Sequence, residues 1–255
     1  MLQKKTLLPA PGPALIAALL LACSIRTYAA APVDFSEVAS IGDLAAEAIA
    51  QTETLEGYLK DEAAYATARK TKKISQASGV LACMAQAIAE HPARDEVQIA
   101  AADLRDAALK IGKAGTRNDA AEALAVARSA LDGQASGEAT AEHAWNKLIG
   151  MHAMMEEING RNAKIRRAVK RLRKPETESL HATTLAVLAV AMHADTHEVK
   201  NESDVPQWQQ YALEYQRHMT ATAQAMKAKD AKAARAVWLQ GVESCNACHD
   251  KFRED

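Results

Sequence analysis

The 255-residue chain is 49% hydrophobic and 25% charged, with only 11 Gly and 7 Pro, which is too apolar for a disordered tail and too poor in breakers for a loop-rich or collagen-like protein. Aromatics make up 4% and Ala dominates long stretches; Ala is the best helix former whereas strands favour β-branched and aromatic side chains, so the balance predicts an all-α protein of one or two domains. A formal net charge of −1 argues against a nucleic-acid binder, which would be distinctly basic, and four cysteines are too few for a disulfide scaffold.

The chain starts with Lys4 and Lys5, a Pro-containing stretch and the apolar run Ala14 to Ala22. Those nine residues are too few to span a bilayer core, which needs about 20 in helix. A basic start, a short apolar run and a small-residue exit read as a secretory signal over residues 1–29, cleaved after Thr27-Tyr28-Ala29. Leu20-Leu21-Ala22-Cys23 offers an alternative, a bacterial lipoprotein box with Cys23 carrying a lipid anchor. Either reading exports the protein and places it in the periplasm, free or tethered to a membrane, with no membrane span. Loss of residues 1–29 takes the formal charge from −1 to −4.

The mature chain reads as helix after helix. The first half holds candidate helices at 42–72, 74–91, 93–113 and 118–132, with His91-Pro92 and Gly115 as breakers and Asp119 with Glu122 as a cap pair. A linker follows at 133–139. The second half repeats the plan at 140–173, 176–197, 207–228 and 230–252, with Pro175 and Pro206 at helix starts and Asp230 as a cap. Residues 118–132 lie against 229–243 with five of fifteen positions identical, three of them Ala. The pattern predicts two tandem four-helix bundles, at 30–135 and 136–255; one longer helical domain without a true repeat is the alternative.

The last helix ends Cys245-Asn246-Ala247-Cys248-His249, a CxxCH sequence. On a helix, positions i and i+3 share a face and i+4 lies one turn above i. Two thiols so placed can form thioethers with the two vinyl groups along one haem edge, while the imidazole ligates the iron. The competing readings are a redox CxxC, which needs a strand–helix context missing here, and half a zinc site, which needs further ligands at close spacing.

The C-terminal position of this motif, on the fourth helix of an α bundle, resembles class II cytochromes c, the cytochrome c-prime group. The run ESCNACHDKFRED is similar to the family's closing pattern, and the resemblance covers about 140–255. By helix order alone it extends to 33–135, where Gln134 stands opposite Cys245 and no CxxCH exists, so the first half is expected to be haem-less. The resemblance implies one covalent haem c per chain held by Cys245, Cys248 and His249, with Arg253 beside a propionate or the ferric-state charge. Ile158-Asn159-Gly160-Arg161-Asn162 resembles the family segment that follows the distal residue, which places Met155 on the iron's far side. A ligating thioether would make the iron six-coordinate and suited to electron transfer; a merely blocking one would leave it five-coordinate and open to nitric oxide or carbon monoxide. Core filler is the bland alternative for Met155. His218 and Met219 are fallback distal candidates.

The remaining residues read more simply. His143, His152, His181, His193, His197 and His218 are scattered, each expected to be exposed or hydrogen-bonded. Trp208, Tyr211, Tyr215, Val237, Trp238 and Phe252 are expected to enclose the macrocycle or cap the bundle end. Cys83 is expected to be a buried free thiol. Arg161 to Lys174 contains eight basic residues, read as a solvated face at a helix C-terminus, or as a docking patch for an acidic redox partner.

Together these features predict an exported single-haem cytochrome that carries electrons to and from an unidentified redox partner and turns over no substrate. The alternatives are a gas-binding haem protein and an interaction protein acting through the first bundle. Family members pair through the first two helices of each bundle, so the first bundle is expected to take the partner's place and leave the chain monomeric.

Overall fold

The computed structural model describes residues 31–139 and 143–253, so the expected signal or lipoprotein segment and Cys23 lie outside the described residues. No strand occurs among the described residues, and the all-α expectation holds. The ten α-helices are α1 (Phe35–Val38), α2 (Ile41–Leu59), α3 (Glu62–Lys70), α4 (Lys73–Glu90), α5 (Ala101–Lys113), α6 (Arg117–Leu131), α7 (Met151–Ala168), α8 (Pro175–Ala194), α9 (Val205–Lys227) and α10 (Ala231–Phe252).

Boundaries follow local chemistry. The expected helix 42–72 breaks into α2 and α3 because the Asp61 carboxylate accepts the Ala64 N–H at 2.8 Å and starts a new helix. The expected 93–113 shortens to α5, since Pro92 and a 3₁₀ turn at Arg94–Glu96 delay helix until residue 101. Thr116, not Asp119, caps α6; Asp119 is its partner three residues on in a capping box. Asp230 caps α10, accepting from Ala233 N at 2.9 Å.

The expected helix 140–173 shrinks to α7, because the segment before it is recruited into the core as irregular chain. Trp145 stacks on Phe35 with ring centroids 5.3 Å apart and donates its indole N–H to Glu90 at 3.1 Å. Ile149 lies so close to α4 that a Cβ at Gly79 would stand 2.6 Å from its Cγ1. A glycine is required there by close approach.

In the first half, α2, α4, α5 and α6 pack as a closed ring, with α2 against α4, α4 against α5, α5 against α6 and α6 back against α2. Arg128 on α6 pairs with Glu56 on α2 across that last seam at 2.5 Å. In the second half α7 packs on α8, α8 on α9 and α9 on α10, but the α10–α7 seam is not closed by comparable packing. That difference positions the candidate site.

The halves meet through α2 and α4 on one side and α7 and α8 on the other. α4 and α8 are accordingly buried around most of their circumference, and the hydrophobic core runs through both halves without interruption. Arg161 on α7 lies in this interface, paired with Glu47 on α2 and with Glu157 at 2.7 Å, and donating to the Thr184 hydroxyl at 2.8 Å. The solvated-face reading therefore fails for Arg161, which three anchoring oxygens hold in the core; the other seven basic residues of 161–174 are exposed.

Candidate haem site

The open seam between α7 and α10 is a cleft of about 1100 Å³, roomy for a small-molecule site. The two helices are tied at one end by Asn162, which donates to the Tyr215 hydroxyl at 3.0 Å and accepts the Trp238 indole N–H at 2.9 Å. One amide side chain thus joins α7, α9 and α10. Beyond it the cleft is walled by Met151, Met155 and Asn159 of α7, by Trp208, Tyr211 and Tyr215 of α9, and by Trp238, Val242, Cys245, Cys248 and His249 of α10.

α10 stays helical through Phe252, so the CxxCH residues keep the i, i+3, i+4 register. Gly241 lets α10 close onto α9, since a Cβ there would stand 2.5 Å from Met219 Cε and 3.2 Å from His218 Cβ. The Ser244 hydroxyl donates to the Tyr211 carbonyl at 3.2 Å and fixes α10's rotation one residue before the first cysteine. Cys248 is buried, Cys245 half-buried and His249 exposed, and all three line the cleft. Phe252 packs edge-on against Trp208 with centroids 5.3 Å apart and against Tyr211 at 6.4 Å, closing the C-terminal end. Lys251 ties that end to the start of α9 through Asp204 at 2.7 Å and Gln207.

The electrostatics separate the competing readings of the cysteines. Burial pushes the Cys248 thiol up to about 11, and burial with the neighbouring Cys248 pushes Cys245 up to about 12. A redox CxxC depends on the opposite, a thiolate stabilised at a helix N-terminus; here both cysteines stand in the C-terminal half of α10, far from its N-terminus. A zinc site needs four ligands in one cluster, and among the described residues no group of three or more His, Cys, Asp or Glu side chains is assembled. A haem iron receives four nitrogens from its porphyrin and asks the protein only for axial ligands. Partial burial of its ring, then the Arg253 charge, lowers the His249 pKa and favours the neutral imidazole, the form that can ligate.

Of the α7 methionines, Met154 is fully buried in the core, whereas Met151 and Met155, one turn apart, both line the cleft. This distributes the three methionines that spacing alone left ambiguous. Arg253 lines the cleft at its mouth. Met219 is fully buried, and neither it nor His218 lines the cleft, so the fallback distal candidates are not brought to the site. Sequence reading missed Asn162 as a tie. Its signal was a stripe: Met151, Met155, Asn159 and Asn162 recur at helical spacing along the cleft side of α7.

Comparison of the chain with protein-family models, with curated proteins and with solved structures finds no match. Among the described residues no helix is long and apolar enough to cross a membrane.

Proposed function

We propose that the chain is an exported c-type cytochrome of the class II kind, which holds one covalent haem in the α7–α10 cleft and exchanges single electrons with a partner protein. The observation that carries this reading is the coincidence of the CxxCH motif with the seam left open in the second half, while the motif-free first half is closed by α2 against α6. Cys245 and Cys248 would hold the porphyrin by thioether bonds, and the His249 imidazole would supply a nitrogen ligand to its iron. When bound, the haem supplies a reversible one-electron couple.

The chain's own residues prepare that chemistry. Burial keeps both thiols protonated at neutral pH, which protects them from stray oxidation before attachment. Trp208, Tyr215 and Trp238 are buried and exclude water from the inner cleft, an environment that favours the less charged ferrous state. Met155, lining the cleft from the α7 side, would offer the haem iron a soft, neutral thioether. Export follows from the basic start and short apolar run of residues 1–29. The α2–α4 to α7–α8 contact supports an intramolecular pair of four-helix bundles, the first standing where a second subunit would stand, so the mature chain is a monomer.

The test is the visible spectrum of protein expressed with export and haem-attachment machinery. A sharp low-spin Soret and α band, unchanged by carbon monoxide, is expected. A broad high-spin spectrum that shifts on adding carbon monoxide overturns the electron-carrier assignment in favour of gas binding.

A further inference from the structure

Asn162 makes two hydrogen bonds with different demands. It accepts the Trp238 indole N–H at 2.9 Å and donates to the Tyr215 hydroxyl at 3.0 Å. An indole nitrogen only donates, so Trp238 must meet the amide oxygen, and the amide nitrogen is turned toward α9. Flipping the amide would set donor against donor at Trp238. The Tyr215 hydroxyl therefore receives from Asn162, and its own proton is left to point elsewhere. Tyr215 is buried, and a buried hydroxyl proton needs an acceptor.

Helix geometry brings that acceptor. The Tyr215 ring leans on α10 at Gly241, where a Cβ would stand 3.5 Å from its Cδ2. Cys245 is one turn further along the same face, and a helical side chain leans back over the turn that precedes it. The Cys245 sulfur is thereby carried toward Tyr215, and the phenol lies within hydrogen-bonding reach of the thiol. Ser244, bonded to the Tyr211 carbonyl at 3.2 Å, holds the two helices in register beside this contact. The contact works against the burial that raises the Cys245 thiol, whereas burial alone moves the Cys248 thiol.

We infer that Trp238, Asn162 and Tyr215 are positioning residues, a one-way relay of three donors that ends on the Cys245 sulfur and aims it for thioether formation. The inference rests on the covalent-haem reading and names the groups that prepare one of its two sulfurs. In that step the thiol adds across a vinyl double bond: sulfur bonds the inner carbon, the thiol's hydrogen ends on the outer one, and no electron is gained or lost. A phenol donating to the sulfur stabilises the charge that gathers there as the thiol gives up its proton. It also holds the sulfur in one orientation at the cleft wall, which Cys245 shares with Tyr215, Trp238 and Asn162.

The test compares the full mature chain with its Y215F, W238F and Y215F/W238F variants. Before haem attachment, alkylation by iodoacetamide is followed by peptide mass at Cys245 and Cys248 separately. The ratio of the two rates is the readout, since loosening of the whole fold moves both together. Y215F is expected to lower the Cys245-to-Cys248 ratio about threefold or more, through loss of one hydrogen bond to an ionising sulfur. W238F leaves the Tyr215 and Cys245 side chains unchanged but frees the amide to flip, and is expected to lower the ratio in the same direction. The double variant should fall no further than Y215F. After haem attachment, Y215F should leave about a tenth of chains or more joined through Cys248 alone, with Cys245 open to the reagent. A ratio unchanged or raised in Y215F, or losses in the two single variants that multiply, would overturn the relay. Complete attachment at Cys245 in Y215F would overturn its role in aiming that sulfur. A colourless protein whose ratio still follows the variants would sink the haem reading and leave the relay standing.

Discussion

The Arg161–Glu47 pair gives the sharpest test of how the halves are held. Both side chains are only 4% exposed, and the ion pair joins α7 to α2 across the interface. Breaking one partner of such a pair costs about 3–5 kcal/mol, because the other is left as an uncompensated buried charge. Glu47→Ala leaves the guanidinium with Glu157 and the Thr184 hydroxyl, so its cost falls near the lower end, about 3 kcal/mol. Arg161→Met strands two carboxylates, and Glu47 then keeps only the Gln51 amide, donating at 2.8 Å; its cost falls near the upper end, about 5 kcal/mol. At roughly 2–4 °C per kcal/mol for a chain of this size, the first variant melts about 6–12 °C lower and the second about 10–20 °C lower. Glu47→Ala with Arg161→Met removes both charges together and recovers at least about 2 kcal/mol of the summed loss. Circular dichroism during thermal and urea unfolding reads all four proteins. Single-variant losses below about 1 kcal/mol, or strictly additive losses, would refute the claim that this pair is a desolvated tie.

Other consequences concern the site and the solution state. Cys245→Ala and Cys248→Ala should each leave haem attached through one thioether, whereas the double variant should lose all covalent haem on a denaturing gel while keeping its helical circular dichroism. Burial, with the Arg161 charge next, lowers the His181 pKa to about 3. The unfolded chain therefore binds one more proton than the folded one between about pH 3 and 6.5, and stability falls as pH drops through that window. The loss approaches about 1.4 kcal/mol per pH unit for this one group, and His181→Gln should flatten that part of the urea-midpoint profile against pH. Light scattering of the mature protein should give the monomer mass, and a stable homodimer would contradict the intramolecular pairing.

Most of the helices and the central motif were legible in sequence because they depend on local chemistry. Pro175, Pro206 and Asp230 marked helix starts correctly, and CxxCH needs only its own spacing. Features set by distant packing were not. Residues 143–150 have helical composition, yet Trp145, Leu148 and Ile149 gain more by entering the core beside Phe35 and α4 than by extending α7. Arg161 sits in a run of charge that signals solvent, and its burial depends on Glu157 one turn away together with Glu47, 114 positions away, and Thr184, which sequence spacing does not bring together. The three α7 methionines could not be sorted by periodicity, because a helix face is decided by what packs on it; Met154 is buried in the core, and Met151 and Met155 are left for the cleft.

Attachment of the porphyrin can be read directly on mature protein from a host equipped for export and haem ligation. A pyridine haemochrome spectrum, taken with the intact mass before and after thiol alkylation, should report one haem per chain with Cys245 and Cys248 both blocked and Cys83 alkylated only on unfolding. A colourless protein in which Cys245 and Cys248 take up the alkylating reagent would contradict it.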